Sequence, residues 1–182
     1  MRKIIICLTL YLTFFGTNLA QTFTLKSDEL GGQATNKELF NGFGCSGLNI
    51  SPQLCWENPP ADTKSFAITI HDPDAPTGSG WWHWLVYDIS KETLNIPANA
   101  GNPELNLLPK GAIQSITDFG KLGYGGPCPP KGHGFHQYII TVYALKTEKL
   151  NLDAMSNAAL VGYTINSNLI EKASMIFYCK RD

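Results

Sequence analysis

The chain has 182 residues, with 14 Lys and Arg against 15 Asp and Glu, a formal net charge of −1, and 43% hydrophobic residues. That length and apolar content suit one domain with a sizeable core. The balanced charge, with no basic run, excludes an ordinary nucleic-acid binder and a polybasic attachment to anionic lipid.

Arg2 and Lys3 precede an apolar run from Ile4 to Phe15, and Gly16-Thr17-Asn18-Leu19-Ala20 follows with small and polar residues. At about 1.5 Å per residue the run is too short to span about 30 Å of hydrocarbon. Residues 1–20 therefore read as a secretory signal peptide cleaved near Ala20, and residues 21–182 as a single domain that is periplasmic or secreted. No stable membrane insertion is expected. Without Arg2 and Lys3 the rest of the chain carries a net charge of −3.

Thr22-Phe23-Thr24-Leu25 alternates and predicts a short strand. Gly42-Phe43-Gly44-Cys45-Ser46-Gly47 has the form G-x-G-x-x-G, but Pro52 follows with no helical pattern between, so no dinucleotide site is read there. Phe66-Ala67-Ile68-Thr69-Ile70 is apolar and β-branched and predicts a buried strand; Trp84-Leu85-Val86-Tyr87 predicts the next. Between them, the stretch from His71 to Trp84 holds two histidines, two acids and three tryptophans. Pro73 and Pro76 stiffen its start and Gly78 and Gly80 supply a turn. A stiff loop on a sheet rim is where a binding site is easily built.

Residues 88–109 are rich in Asn, Pro and Gly and read as a long surface connection, and Lys110–Gln114 predicts an edge strand. Asp118-Phe119-Gly120 copies a kinase tripeptide, but neither a glycine-rich nucleotide loop with its lysine nor His-Arg-Asp accompanies it. Asp118 is read as bracing a turn and Phe119 as packing beneath the rim. Gly125 to Tyr138 is a second proline-stiffened, glycine-hinged loop, and it feeds a strand, Tyr138–Leu145. Ala159, Leu160, Tyr163, Ile165, Leu169 and Ile170 lie at roughly helical spacing and predict a helix from about Ser156 to Ala173. Met175–Cys179 predicts a closing strand. Many short strands with one late helix predict a mainly β fold, a two-sheet antiparallel β-sandwich with a peripheral C-terminal helix.

After the leader, Cys45, Cys55, Cys128 and Cys179 remain. In an exported chain they suggest disulfides, with three possible pairings, and the absence of Cys-x-x-Cys speaks against a redox motif or zinc knuckle.

The two rim loops, each carrying a histidine at or near a strand start, resemble together the motifs of the phosphatidylethanolamine-binding protein family, whose bacterial members are also called Raf-kinase-inhibitor-like proteins. The family's Asp-Pro-Asp-x-Pro followed by Trp-x-His is matched by Asp72, Pro73, Asp74, Pro76, Trp81 and His83. Its Pro-Pro-x-Gly followed by Gly-x-His-Arg-Tyr is matched by Pro129, Pro130, Gly132, Gly134, His136 and Tyr138. Asn49-Ile50-Ser51-Pro52 and Thr117-Asp118-Phe119-Gly120 resemble further family segments. Gln137 stands where the family usually has arginine, which removes a charge beside the second histidine.

The resemblance implies a β-sandwich whose rim pocket takes phosphate or a phosphorylated head group such as phosphoethanolamine. Asp72, Asp74, Pro76, Trp81, His83, Pro130, Gly132, His136 and Tyr138 would hold it, with no catalysis, metal or cofactor. It also leaves room for a homodimer. Cys45 and Cys128 both lie in glycine-rich rim loops, and related bacterial members carry cysteines at these places, which points to a Cys45–Cys128 bridge. Cys55–Cys179 would then tie an early strand to the last.

In the chemistry of the residues, Asp72 is expected to orient His83 or His136, fixing its tautomer so that the other ring nitrogen aims a donor into the pocket. Tyr138 adds a hydroxyl, and Trp81 or Trp84 an apolar wall. His71 is read as packed, His133 and Lys131 as surface residues. Asp72, His83 and His136 also make a possible two-His-one-carboxylate metal set, but no short-range ligand spacing supports it. An enzyme using Ser79 or Ser115 as nucleophile lacks a Gly-x-Ser-x-Gly turn, and Ser79 sits in a loose Gly-Ser-Gly. The alternative to head-group binding is a protein-interaction module that inhibits a protease, or modulates a host or extracellular signalling protein, through the same rim.

Overall fold

Alternation along three long strands, broken by bulges where β5 meets β6, builds the protein on both faces of one sheet. The computed structural model describes residues 21–182, so the predicted leader lies outside the described residues. The elements run β1 (Thr24–Lys26), β2 (Asn41–Gly42), β3 (Cys45–Ser46), β4 (Leu54–Glu57), β5 (Ser65–Asp72), β6 (Trp81–Ser90), β7 (Asn95–Ile96), β8 (Ile113–Gln114), β9 (His136–Leu145), α1 (Ala158–Ser167) and β10 (Leu169–Cys179). A five-stranded sheet has the order β10-β9-β5-β6-β8, a three-stranded sheet the order β1-β4-β7, and β2 pairs with β3. Every pairing between these strands is antiparallel. The fold is mainly β, with one C-terminal helix, as the strand pattern predicts.

Side chains alternate across a strand with a period of two. Phe66, Ile68 and Ile70 of β5, Trp84 and Val86 of β6, and Tyr138, Ile140 and Val142 of β9 therefore share one face. They pack against Leu25, Leu54, Trp56 and Ile96 of the smaller sheet, with the Trp56 ring edge-on to Phe66 at 5.2 Å. The intervening residues Ala67, Leu85, Tyr87 and Leu145 face the other way and bury against Ala158, Val161 and Ile165 of α1. Burial on both faces explains why these strands read as continuous apolar runs rather than as half-polar ones.

Five sequence expectations need correction. The helix ends at Ser167, not near Ala173, and Asn168 caps it through its side-chain amide on the Thr164 carbonyl. Leu169 and Ile170 continue the helical spacing in sequence but open β10, whose backbone pairs with β9 from Leu169 opposite Leu145, with a bulge at Ile170. The buried helix face is Ala158, Val161 and Ile165, whereas Leu160 and Tyr163 of the predicted stripe are exposed. The connection 88–109 is not all surface, because Ile89, Ile96 and Ala100 are buried and β7 joins the smaller sheet.

The edge strand shrinks to Ile113–Gln114. Of the two bridges, Cys45–Cys128 is present, but Cys55 and Cys179 are free. Leu54 and Trp56 point into the core, so Cys55 between them points away, while Cys179 is buried. Burial pushes the Cys179 thiol up to about 11, which keeps it protonated.

Ile165→Ala is expected to cost about 2–5 kcal/mol in urea unfolding, and Leu160→Ala to stay within about 0.5 kcal/mol. A cost at Leu160 as large as that at Ile165 would mean that α1 buries the whole stripe its sequence periodicity suggests.

Candidate functional site

The site forms where β5 ends, β6 begins and β9 begins. Asp72 is the last residue of β5, and its Oδ1 accepts a hydrogen bond from the Asp74 backbone N–H at 2.8 Å, so the chain turns as soon as the strand stops. The loop re-enters at Gly80, with φ +72°. A Cβ at Gly80 would stand 2.5 Å from the Asp72 carbonyl oxygen, so only glycine fits there. From this turn β6 presents Trp81 and His83 to one face and Trp82 to the other, where Trp82 stacks on His71 at 4.1 Å. His71 is thus packed, and its Nε2–H donates to the Ser79 carbonyl at 3.0 Å.

The second loop is fitted against the first by backbone. Gly125 N–H donates to the His83 carbonyl at 2.9 Å, and the Gly125 carbonyl accepts from His83 Nδ1–H at 2.6 Å. Gly126 N–H donates to Asn49 Oδ1 at 2.7 Å, which gives the Asn49 segment its structural part. The loop ends at His136, the first residue of β9. His136 Nδ1–H donates to Asp72 Oδ2 at 2.8 Å, and the two side chains are only 3% and 4% exposed. Asp74 Oδ2 accepts from the Gln137 backbone N–H at 2.8 Å.

These contacts enclose a cavity of about 200 Å³. Asp72, Thr77, His83, His136 and Tyr138 supply its polar groups; Trp81, Phe119 and Phe43 supply aromatic walls; and Pro76 and Pro130 line it from the two loops. Asp74 and Gly132 do not line it. Asp74 instead ties the first loop to Gln137, and Gly132 makes a turn whose N–H donates to the Arg181 carbonyl at 3.0 Å.

No lysine or arginine among the described residues lines the cavity. Its one carboxylate is therefore Asp72, and any positive charge from the protein has to be a proton on a histidine. Burial, assisted by the nearby Asp72 charge, holds the Tyr138 phenol far above its usual range, so it stays a donor.

The two histidines differ. Asp72 engages His136, and His83 is held by a carbonyl instead. Burial outweighs the pull of Gly125 and Asp72 and lowers His83 to about 4, so its ring is neutral near pH 7. The sequence expectation that carboxylate orientation aims a donor into the pocket is corrected in one respect. In each ring the bonded Nδ1 carries the proton, so Nε2 is an acceptor until a second proton arrives.

Phe43 is a wall residue that sequence reasoning did not place, and Phe119, read as packing beneath the rim, forms the wall with it. Their rings stack at 5.8 Å, and Phe119 meets Trp81 edge-on at 5.5 Å. Phe43 is 68% exposed and sits at φ +50°, a left-handed conformation rare for a bulky residue. It is held there from two sides. Cys45, two residues on, is bridged to Cys128. Arg181 donates from Nη1 to the Phe43 carbonyl at 3.2 Å and from Nη2 to the Gly44 carbonyl at 2.6 Å. The doublet of glycines around Phe43 was the available signal; nothing local marks Arg181.

The model of the phosphatidylethanolamine-binding protein family matches residues 31–180. The UPF0098 protein YbcL of Escherichia coli (strain K12) is 48% identical over 165 residues, covering 91% of this chain and 90% of that protein. The UPF0098 protein YbhB of the same strain is 46% identical over 145 residues, covering 80% and 90%. The crystal structure of E. coli YbcL, described as a new member of the mammalian PEBP family, superposes with a TM-score of 0.86 over 88% of this chain and 99% of that one. A PEBP homologue, CT736 from Chlamydia trachomatis, superposes with a TM-score of 0.71 at 26% identity, over 88% and 98%.

Cys45→Ser combined with Cys128→Ser is expected to lower stability by about 2–4 kcal/mol in urea and to speed hydrogen exchange at Phe43 and Gly44; unchanged exchange would show that Arg181 alone seats the wall. Unfolding free energy measured against pH tests His83. The unfolded ring takes its proton near 6.5 and the folded ring only near 4. Its stabilising share is full above about 6.5 and is lost as pH falls toward 4, by about 3 kcal/mol. His83→Asn should lack that part of the slope.

Proposed function

Since the chain belongs to the phosphatidylethanolamine-binding protein family, we propose that it is an exported, non-enzymatic binder of a phosphate or phosphorylated head group, of the phosphoethanolamine kind. The observation that carries this reading is the buried Asp72–His136 pair at a small aromatic-walled cavity. A second proton on His136 turns Nε2 into a donor, and Asp72 balances the charge that results. The Tyr138 phenol adds a second donor.

Size supports a head group rather than a whole lipid. A volume of about 200 Å³ falls below the about 300–1,000 Å³ of pockets that enclose drug-sized molecules. Acyl chains would stay outside. The non-enzymatic part rests on the absence of Ser79 and Ser115 from the cavity lining and on a His83 ring held by a backbone carbonyl rather than beside a nucleophile. Export rests on the composition of residues 1–20 and agrees with a disulfide, which persists in oxidising compartments.

Calorimetric titration with phosphate and with phosphoethanolamine at pH 5.5 and pH 8 tests the proposal. The reading needs a second proton on the ring that Asp72 holds, and acid is where that proton is available. Phosphate loses charge below its second pKa of about 6, and the gain from the ring must exceed that loss. Expected is tighter binding at pH 5.5 that disappears in His136→Gln. No heat at either pH would move the protein-interaction reading to first place.

A further inference from the structure

Behind the Phe43 wall lies a second recess, of about 210 Å³. Cys45, Cys128, Cys179, Lys180 and Arg181 are in its lining, and no aspartate or glutamate is. Cys128 lines both this recess and the rim cavity, whereas Cys45 lines only the recess of the two. Both bridged cysteines are half-buried rather than sealed in the core. The bridge is therefore open to a reagent that enters from this side.

The two sulfurs have different surroundings. Arg181 Nη1 donates to Cys128 Sγ at 3.6 Å and to the Phe43 carbonyl at 3.2 Å. Among the described residues it makes no such bond to Cys45. Glycine permits the approach, because a Cβ at Gly44 would stand 2.8 Å from Arg181 Nη2. A guanidinium beside a sulfur stabilises its thiolate, and a disulfide opens faster where the departing thiol has the lower pKa. Cys128 is thus the better leaving group. Cys179 shares the recess, but burial pushes its thiol up to about 11, so it stays protonated and is a poor nucleophile. Asp182 pairs with Lys180 at 2.9 Å without lining the recess. The chain has no Cys-x-x-Cys, but exchange needs only a reachable sulfur and a stabilised leaving group.

We infer that the Cys45–Cys128 bridge is a thiol-exchange site for a small thiol that carries carboxylates: the recess holds the carboxylates against Lys180 and Arg181, the thiolate attacks Cys45 Sγ, and Cys128 departs. In the first step a bond forms between the incoming sulfur and Cys45 Sγ. The Cys45–Cys128 bond breaks, and its electron pair leaves on Cys128 Sγ beside Arg181. A second molecule of the thiol then attacks the incoming sulfur and expels the Cys45 thiolate. The balance is two thiols oxidised to one small disulfide and one protein disulfide reduced to two thiols. The wall of the rim cavity feels the first step, since Phe43 loses the bridge and keeps only Arg181. The inference goes beyond the head-group reading and does not depend on it.

Glutathione, an anionic thiol, and cysteamine, a cationic one, make the test. Opening rates at pH 8 are measured on the folded protein, and each is divided by the rate of the same thiol on 2-hydroxyethyl disulfide, which removes differences in nucleophilicity. The reaction is stopped in acid, free thiols are alkylated, and peptide mapping locates the adduct. Wild type is compared with Arg181→Gln, Arg181→Lys and Lys180→Gln, with thermal unfolding confirming that each is folded.

Expected in the wild type are a glutathione adduct on Cys45, an alkylated Cys128, and a normalised glutathione rate roughly threefold or more above that of cysteamine. Arg181→Gln is expected to slow opening by about threefold or more and to divide the adduct between the two cysteines. Arg181→Lys keeps the adduct on Cys45. Lys180→Gln narrows the preference for glutathione and leaves the adduct in place. A wild-type adduct on Cys128, or the same distribution in Arg181→Gln, overturns the assignment of the leaving group and the inference with it. Equal normalised rates for the two thiols, or no mixed disulfide at either cysteine, overturn the site.

Discussion

A carboxylate removed from water must find partners, and the rim is built around that requirement at Asp72. Burying an unpaired charge costs several kcal/mol. Asp72 meets the cost with the Asp74 N–H on one oxygen and His136 Nδ1–H on the other. The first bond folds the loop leaving β5, and the second fastens the start of β9 to the end of β5. Asp74 repeats the tie one step further out, on Gln137. Two loops far apart in sequence are thereby held at one place by acids that also define the chemistry between them.

Within that frame, two histidines of the same cavity meet different electrical surroundings because their Nδ1 partners differ. A carboxylate beside His136 can balance a second proton; a carbonyl on His83 cannot do so fully, and burial then keeps that ring neutral. Both sit on strand ends rather than in the loops, so the ladders of β6 and β9 fix their direction. The proline-rich loops do something different, forming the lips of the cavity.

Much of this was legible in the sequence. Phe66 to Ile70 and Tyr138 to Leu145 read as strands because burial on both faces leaves an unbroken apolar run. The pairing of Asp72 with a histidine was legible as chemistry, but which histidine depended on register, and register is set by tertiary pairing of β5 with β9. The end of α1 was misread because Leu169 and Ile170 extend a helical spacing while the backbone finds its partners in β9. The expected match of Cys55 with Cys179 failed, since the face of a strand only four residues long is decided by its neighbours Leu54 and Trp56. Phe43 and Arg181 are 138 residues apart in the chain, and no local pattern announces a contact of that reach.

The Cys45–Cys128 bridge has a topological consequence. It closes a covalent loop across a separation of 83 residues, and that loop contains β5, β6 and β8. The strands β9 and β10 lie outside it, yet they belong to the same sheet, in the order β10-β9-β5-β6-β8. Within that sheet the seam between the enclosed strands and the free ones is β5 against β9, and the Asp72–His136 pair sits at its rim end. A guest that touches both sides of the cavity therefore acts as a rivet across that seam. It adds RT ln(1 + [L]/Kd) to the cohesion of the whole molecule, so occupancy should be readable as resistance of the C-terminal strands to opening.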